Sequence, residues 1–489
     1  MSSPAGQEIV AWDAVTLSRR IHARDVSCVE VLDAFTGQID RLNPAVNAIV
    51  DRQPQEALVS LAAGLDRQLA QGIDLGPLHG FPQAPKDILP AAGLVTTRGS
   101  PIFQGQVSGT DAAAFQRMRA GGSVFLGRTN VPEFGLGGHT FNDVYGTTRN
   151  AFDPARSAGG SSGGAAVAVA LRMLPVADGT DMMGSLRTPA AFNNVFGLRT
   201  SVGCVPHGPG DEVFFQQFSV SGPMARNVPD LALLLSVQAG FDPRLPLTRR
   251  QDDPSRFLGE LRRAFAGTRI GWLGALDGRL PMDPGLLDVG EQALRHFSAV
   301  GCEVEPVKIA FDLEALWQAW IDLRSFTIAN TQAALYRQPA TRDLLKPEAV
   351  WEIERGLRLT GEQVFAAART RSAFYQHLVA LFGQYDSLLM PSAQVFPFPV
   401  DWRWPGAIGG VAMDTYHRWM ETVVVATMAG LPALSVPAGF GAQGLPTGLQ
   451  IIGPPQSDLE VLQLGHAYDE ASGFSRIRSP LLDGSPARS

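Results

Sequence analysis

The sequence predicts a layered α/β protein, and three observations carry that prediction. The first is alternation: Arg269-Ile-Gly-Trp-Leu273 reads as a strand, Pro284 to Ala299 as a helix and Cys302 to Ile309 as a strand again, the order that builds a sheet with helices packed on it. The second is a pair of short apolar runs, Ser435 to Ala438 and Leu449 to Ile452, which suit core strands. The third is a pair of capping boxes, Ser27 with Glu30 and Thr360 with Gln363, each marking the start of a helix.

Taken in order, residues 1–70 read as helical. Val31, Phe35, Ile39 and Leu42 repeat at helical spacing behind Ser27, and Asn43-Pro44 is expected to end that helix. Asn47 to Val50 suits a short strand and Pro54 to Ala70 a further helix. Asp111 to Ala120 reads as a helix stopped by Gly121-Gly122, followed by the apolar strand Ser123 to Gly127. Ala165 to Leu171 suits a small-residue helix, and Val228 to Ala239 a helix with Asp230 in its first turn. The helix behind Thr360 runs to about Phe382, with its apolar positions Phe365, Ala368, Tyr375, Val379 and Phe382 on one face. Ser457 and Glu460 cap the last clear helix.

No internal repeat, charge block or low-complexity linker forces a cut. The chain reads as one domain over 1–489, with a helical N-terminal part (1–70) and a possible peripheral insertion over 245–345. Apolar residues make up 45% and charged residues 18%, a globular balance. A formal charge of −7 argues against a nucleic-acid binder or an anionic-membrane binder. Cys28, Cys204 and Cys302 are far apart and odd in number, which disfavours a disulfide framework or a cysteine-built zinc site. The eight histidines include no HExxH. Met1-Ser-Ser-Pro-Ala-Gly-Gln-Glu8 shows no basic segment followed by an apolar one, and Val423 to Gly439 is broken by Gly430, Pro432 and Pro437. A soluble, cytoplasmic protein is expected. Glycine and proline are abundant, 52 and 35 residues against an average share near 12% for the two together. The segment 80–210 holds 22 of those glycines.

Two glycine–serine segments inside that stretch draw attention: Gly159-Gly-Ser-Ser-Gly-Gly164 and Gly179-Thr-Asp-Met-Met-Gly-Ser-Leu-Arg-Thr-Pro189. The first also reads as a flexible linker, although helix-forming sequence follows at once; the second also reads as an ordinary strand-to-turn junction. A nucleophilic reading needs a hydroxyl, a base and an oxyanion site. Ser185, preceded by Gly184, lies in a turn whose backbone N–H groups can face a developing oxyanion. Lysine is a base only when burial keeps it neutral. The chain has just three lysines, Lys86, Lys308 and Lys346, and Lys86 sits in an apolar stretch stiffened by Pro82 and Pro85. Taken alone, a lysine such as Lys86 is more often a surface charge.

The blocks from Gly76-Pro-Leu-His-Gly80 to Lys86-Asp87, from Asp111 to Phe134, from Gly159 to Gly164 and from Gly179 to Pro189 occur in the order found in amidase-signature hydrolases. Ser219 to Arg226, Gly430 to Gly439 and Gly444 to Gln450 extend the match. The sequence resembles that family over roughly residues 10–475, most weakly between 245 and 380. The resemblance implies a large mixed β-sheet flanked by α-helices on both faces, and a Ser–cisSer–Lys triad. Position by position it places the base on Lys86, the bridging hydroxyl on Ser161 and the nucleophile on Ser185. The N–H groups of Met182, Met183, Gly184 and Ser185 become the oxyanion site. Gly135 falls on the family's substrate-lining loop. Asp181 and Arg187 flank the turn and are expected either to brace it or to form an ordinary ion pair. No metal or organic cofactor is implied.

One departure stands out. The family usually carries two glycines before the nucleophile, and Met183 occupies the first of those places. Methionine is compatible with the oxyanion site only where φ is negative. Met182 and Met183 are then either soft apolar wall beside the scissile bond or ordinary core. Six aromatics crowd residues 391–420: Phe396, Phe398, Trp402, Trp404, Tyr416 and Trp419. They suit a lid in which Trp402 and Trp404 touch substrate, or a core patch. The lid reading makes the substrate an apolar or aryl amide, or a related carbamate or ester. The enzyme would act as a monomer or homodimer on small molecules.

Three alternatives stand beside this reading. Gly160-Ser-Ser-Gly-Gly164 matches G-x-S-x-G, which would make Ser162 the nucleophile of an α/β-hydrolase with a downstream histidine such as His417 or His466. The chain could instead be the amidase-like subunit of a glutamine-dependent tRNA amidotransferase. It could also be a non-catalytic binding protein on the same scaffold.

Overall fold

Eight segments pair into one mixed sheet in the computed structural model, which describes residues 4–208, 210–215, 218–249 and 253–484. In chain order the strands are β1 (Ala177–Asp181), β2 (Phe196–Arg199), β3 (Val220–Ala225), β4 (Arg269–Trp272), β5 (Glu303–Pro306), β6 (Ser387–Pro391), β7 (Ala433–Phe440) and β8 (Pro446–Ile452). Across the sheet they run β5-β4-β6-β8-β7-β2-β3-β1. The β5–β4 and β4–β6 pairs are parallel; the rest are antiparallel.

The helices before the sheet are α1 (Pro4–Ala11), α2 (Ala14–His22), α3 (Cys28–Val46), α4 (Gln55–Ala70) and α5 (Ala113–Ala120). Those interleaved with it are α6 (Gly163–Ala170), α7 (Arg187–Phe192), α8 (Val228–Gln238), α9 (Leu286–Ala299), α10 (Leu313–Arg337), α11 (Pro339–Arg342), α12 (Pro347–Leu357), α13 (Gly361–Leu381), α14 (Val424–Ala429) and α15 (Asp458–Ser472). Among the described residues no helix is long and apolar enough to cross a membrane.

Strand alternation sorts the core onto two faces. Leu389 of β6 and Leu449 and Ile451 of β8 share one core with Phe35 of α3, Val167 of α6, Leu234 of α8, Phe297 of α9 and Leu462 of α15. Leu388, Met390 and Ile452 point the other way, into a core with Trp317 and Trp320 of α10, Phe374 of α13 and Val425 of α14. Both faces of the central strands are therefore covered, which is why these strands read as unbroken apolar runs rather than as alternating ones.

Three local expectations are corrected. Pro44 lies inside the last turn of α3, which runs on to Val46. The exit is made instead by Asn47, at φ +51°, and by Asn43, whose side-chain oxygen accepts from the N–H groups of Ala48 and Ile49. On α13 the capping box forms, but the buried face is Ala367, Phe374, Leu378 and Leu381. Phe365, Tyr375 and Val379 are exposed, at 68%, 39% and 43%. Ala368 and Phe382 of the expected face are partly buried against the same core, so the covered surface is centred on a neighbouring stripe and reaches only the margin of the expected one. Ser457 precedes α15 without capping it; its hydroxyl donates to the carbonyl of Pro454.

This frame sets up the site. The edge strand β1 runs directly into the Met182–Ser185 turn, which leads into α7, and the Gly159–Ser162 loop leads into α6. Gly164 is what lets α6 dock: a Cβ there would stand 2.4 Å from the Asn130 nitrogen and 2.6 Å from the Ala48 carbonyl oxygen.

Candidate active site

Lys86 enters the interior through its backbone. Its N–H faces both carboxylate oxygens of Asp178 at 3.2 Å, and its carbonyl accepts from the Arg128 guanidinium at 2.9 Å. The side chain is fully buried. Its Nζ lies 2.8 Å from Ser161 Oγ, 2.8 Å from Ser162 Oγ, 2.9 Å from Thr180 Oγ1 and 3.4 Å from the Thr180 carbonyl. All four partners are uncharged. Burial pulls the amine down to about 7, against an opposing pull from the Asp178 and Asp181 carboxylates. Near neutral pH a large share of Lys86 is therefore a neutral amine with a lone pair.

Ser161 follows a cis Gly160–Ser161 peptide bond. Its loop is held from behind. Thr140 Oγ1 donates to the Gly159 carbonyl (2.8 Å) and accepts from the Gly163 N–H (3.2 Å). The Gly159 N–H donates to Ser157 Oγ at 3.1 Å, and Ser157 Oγ lies 2.7 Å from His139 Nδ1. Burial pulls His139 down to about 4, so its ring is neutral. With the Nε2 N–H donating to the Val400 carbonyl (2.9 Å), Nδ1 accepts from Ser157. Gly135, at φ +70°, stands on the open side of Ser161: a Cβ there would lie 3.4 Å from Ser161 Oγ and 3.4 Å from Ile88 Cδ1.

The turn carrying Ser185 is anchored by Asp181. This buried carboxylate takes Arg187 in a two-point pair (Nε to Oδ2 and Nη2 to Oδ1, 3.0 Å each) and Arg199 at 3.3 Å. Burial alone would raise its pKa, but the two guanidiniums outweigh that and hold it well below the usual carboxylate range. Arg187 also donates to the Val423 carbonyl, Gln450 and Thr427, tying the turn to α14 and β8. Asp181 and Arg187 therefore pair and brace the turn. Asp181 Oδ1 accepts the Gly184 N–H (2.9 Å) and Oδ2 that of Leu186 (3.2 Å). The expected oxyanion set is corrected accordingly: the Gly184 N–H is already engaged, while those of Met182, Met183 and Ser185 have no acceptor among the described residues. Gly184 has φ +76°, and Met183 is not among the residues with positive φ. Met183 is buried in the core under the turn. Met182 is partly buried, and its sulfur accepts from Arg324 Nη1 at 3.2 Å. The rest of that guanidinium is fixed by Glu352 (2.6 Å) and the Tyr416 hydroxyl (2.9 Å).

Ser162 N–H donates to the Ser185 carbonyl at 3.1 Å, so the two serine loops touch. Among the described residues nothing hydrogen-bonds Ser185 Oγ. The structure thus gathers Lys86, Ser161, Ser185, Gly135, Asp181 and Arg187. It does not gather the aromatic cluster into a lid: Phe398, Tyr416 and Trp419 are core, and Trp404 packs on Tyr416. Trp402 lines a separate cavity that none of Lys86, Ser161 and Ser185 touches. The histidine-assisted Ser162 reading is corrected too. Ser162 is fully buried against Lys86, neither ring nitrogen of His417 has a hydrogen-bond partner among the described residues, and His466 lies beside Glu470. Asp178, Thr180, His139, Ser157 and Arg324 escaped the sequence reading. Thr180 lies within the Gly179–Pro189 segment and Asp178 directly before it, but only the pairing of β1 in the sheet turns them toward Lys86; His139, Ser157 and Arg324 come from other segments, and no local pattern marks them.

Residues 30–462 match the Amidase family. One component of the glutamyl-tRNA(Gln) amidotransferase of Ralstonia nicotianae is 35% identical, the alignment covering 95% of this chain and 98% of that protein. An acylamidase of Rhodococcus erythropolis is 33% identical, with 97% of each chain covered. The crystal structure of a bacterial aryl acylamidase of the amidase signature family superposes with a TM-score of 0.89 at 29% identity, over 97% of this chain and 99% of that one. Matches of this extent, on a mixed sheet flanked by helices, place the chain in the amidase signature family, hydrolases of amide C–N bonds.

Proposed function

We propose that the protein hydrolyses apolar or aryl amides through an acyl-enzyme on Ser185, with carbamates and esters as further substrates. The observation that carries this reading is the fully buried Lys86 amine, drawn down to about 7 and 2.8 Å from Ser161 Oγ. Lys86 accepts the Ser161 proton as Ser161 accepts the Ser185 proton, and Ser185 Oγ attacks the carbonyl carbon. The free N–H groups of Met182, Met183 and Ser185 hold the oxyanion. The proton returns along the same path to the leaving amine as the C–N bond breaks. Water then attacks the ester, giving up its proton to the relay, and Ser185 is released with the carboxylic acid. A hydroxyl suits the middle place because it donates and accepts at once. Ile88, whose Cδ1 lies beside Gly135, and the partly buried Met182 supply apolar surface next to the two serine loops, which favours apolar acyl or aryl groups.

A second reading, a partner-dependent enzyme that draws ammonia from glutamine, is favoured by the 35% identity to an amidotransferase component. One experiment separates the two. The isolated chain is assayed on aryl amides, short aliphatic amides, carbamates, esters and glutamine. Turnover of aryl amides, lost in folded Lys86→Ala and Ser185→Ala protein, is expected. Turnover of simple amides by the isolated chain would argue against the second reading, inactivity on all of them would favour it, and wild-type turnover by either variant would end the first.

A further inference from the structure

A cavity of about 390 Å³ opens between the 395–407 segment and the 441–445 loop. Its walls are largely rings: Phe396, Phe398, Trp402 and Pro405. The outer end of the Phe396 ring approaches Gly441, where a Cβ would stand 2.6 Å from it, so glycine is what allows the ring to form the wall. Trp402 is 50% exposed and stacks on Phe398, centroids 6.5 Å apart and planes 17° from parallel.

Two charged groups line the same space, and only one of them is compensated. Arg156 is matched by Asp153 at 3.5 Å, and its Nη2 donates to Gln443 at 3.3 Å. Asp283 accepts the Phe396 N–H at 3.0 Å, and among the described residues no basic group lies within 4.0 Å of its carboxylate. Burial raises its affinity for a proton, as expected of a half-buried carboxylate lacking a counter-ion. The cavity therefore presents one carboxylate without a basic partner among the described residues, beside aromatic side chains. Ring faces attract cations through their quadrupole, and aromatic cages take alkylammonium ions on this principle. Proline and leucine surface alongside suits an apolar body.

We propose that this cavity is a second binding site, separate from the Ser185 centre, for an organic ammonium ion: a cationic head facing Asp283 and the rings, on an apolar body small enough for the space.

Titration calorimetry of the full chain with benzyltrimethylammonium chloride tests it. One saturable site is expected, weakened about tenfold or more by Trp402→Ala and by Asp283→Asn, and unchanged by Ser185→Ala. Benzoate should bind at least tenfold more weakly than the cation. Trp402 is half exposed, and asparagine at 283 keeps an acceptor for Phe396, so both variants should fold; their melting temperatures check this. Absence of saturable binding at millimolar cation, wild-type affinity in either cavity variant, loss of binding in Ser185→Ala or equal binding of benzoate would each overturn the proposal.

Discussion

Lys86 Nζ, at the end of a fully buried side chain, stands 2.8 Å from Ser161 Oγ, and among the described residues every other oxygen within hydrogen-bond reach of that nitrogen is also uncharged. An ammonium ion there lacks an adjacent counter-ion, so the arrangement favours the neutral amine and leaves its lone pair for a hydroxyl proton. Asp178 and Asp181 belong to the same neighbourhood but spend their contacts on backbone N–H groups and arginines.

The first prediction concerns pH. Protonated Lys86 has no lone pair, so kcat/KM on a good amide substrate should rise with pH along one titration centred at about 7 and level off above it. A steady-state profile on wild-type enzyme checks this.

The second concerns stability. Lys86 has an ordinary value of 10.5 in the unfolded chain and about 7 in the folded one. As pH falls from the first value to the second, the unfolded chain takes up a proton that the folded chain does not, and stability declines across that window. At neutral pH the cost approaches about 5 kcal/mol at 1.36 kcal/mol per unit, offset by the hydrogen bonds to Ser161, Ser162 and Thr180. Lys86→Met should abolish turnover yet leave the melting temperature at pH 7 equal to wild type or higher, as read by calorimetry.

The third concerns Met183. Its backbone needs no glycine, and its side chain is buried in the core cluster that also holds Phe192, Trp320 and Trp419. Met183→Gly, the family's usual residue, should therefore lose stability by about 2–5 kcal/mol while kcat stays within a few-fold. Denaturant melts and steady-state kinetics measure the two effects separately.

The fourth concerns His139, a positioning residue. Its Nδ1 accepts from Ser157, which in turn accepts from Gly159, two residues before Ser161. His139→Gln keeps a donor for the Val400 carbonyl but offers no acceptor at the Nδ1 position. One lost buried hydrogen bond, about 1.4 kcal/mol, should lower kcat about tenfold with KM little changed. His139→Asn, which restores an acceptor near Nδ1, should recover part of kcat. A merely structural role would lower stability without that recovery.

Much of this site was legible because its chemistry is local. Ser161 and Ser185 lie in glycine-rich turns, and Lys86 is one of three lysines in a chain otherwise served by arginine. What was not legible depends on distant segments. Thr180 contacts Lys86 only because β1 forms the sheet edge beside it, and Arg324 touches Met182 only because α10 packs over the turn. The Gly184 N–H could not be known to be taken until Asp181 was seen to fold back on it. The covered face of α13 is set in a similar way: apolar residues extend around the helix, and the core beneath decides which of them are buried. The aromatic cluster separated into core and a wall of another cavity because composition marks a segment without saying which way its side chains turn.

Labelling with a serine-directed fluorophosphonate, read by peptide mass spectrometry, tests the central claim most directly. A single adduct on Ser185 is predicted, formed about 100-fold or more slowly in folded Ser161→Ala and Lys86→Ala protein, in line with the usual worth of acid–base assistance. An adduct on Ser162, or labelling of Ser185 at the wild-type rate without Lys86, would contradict it.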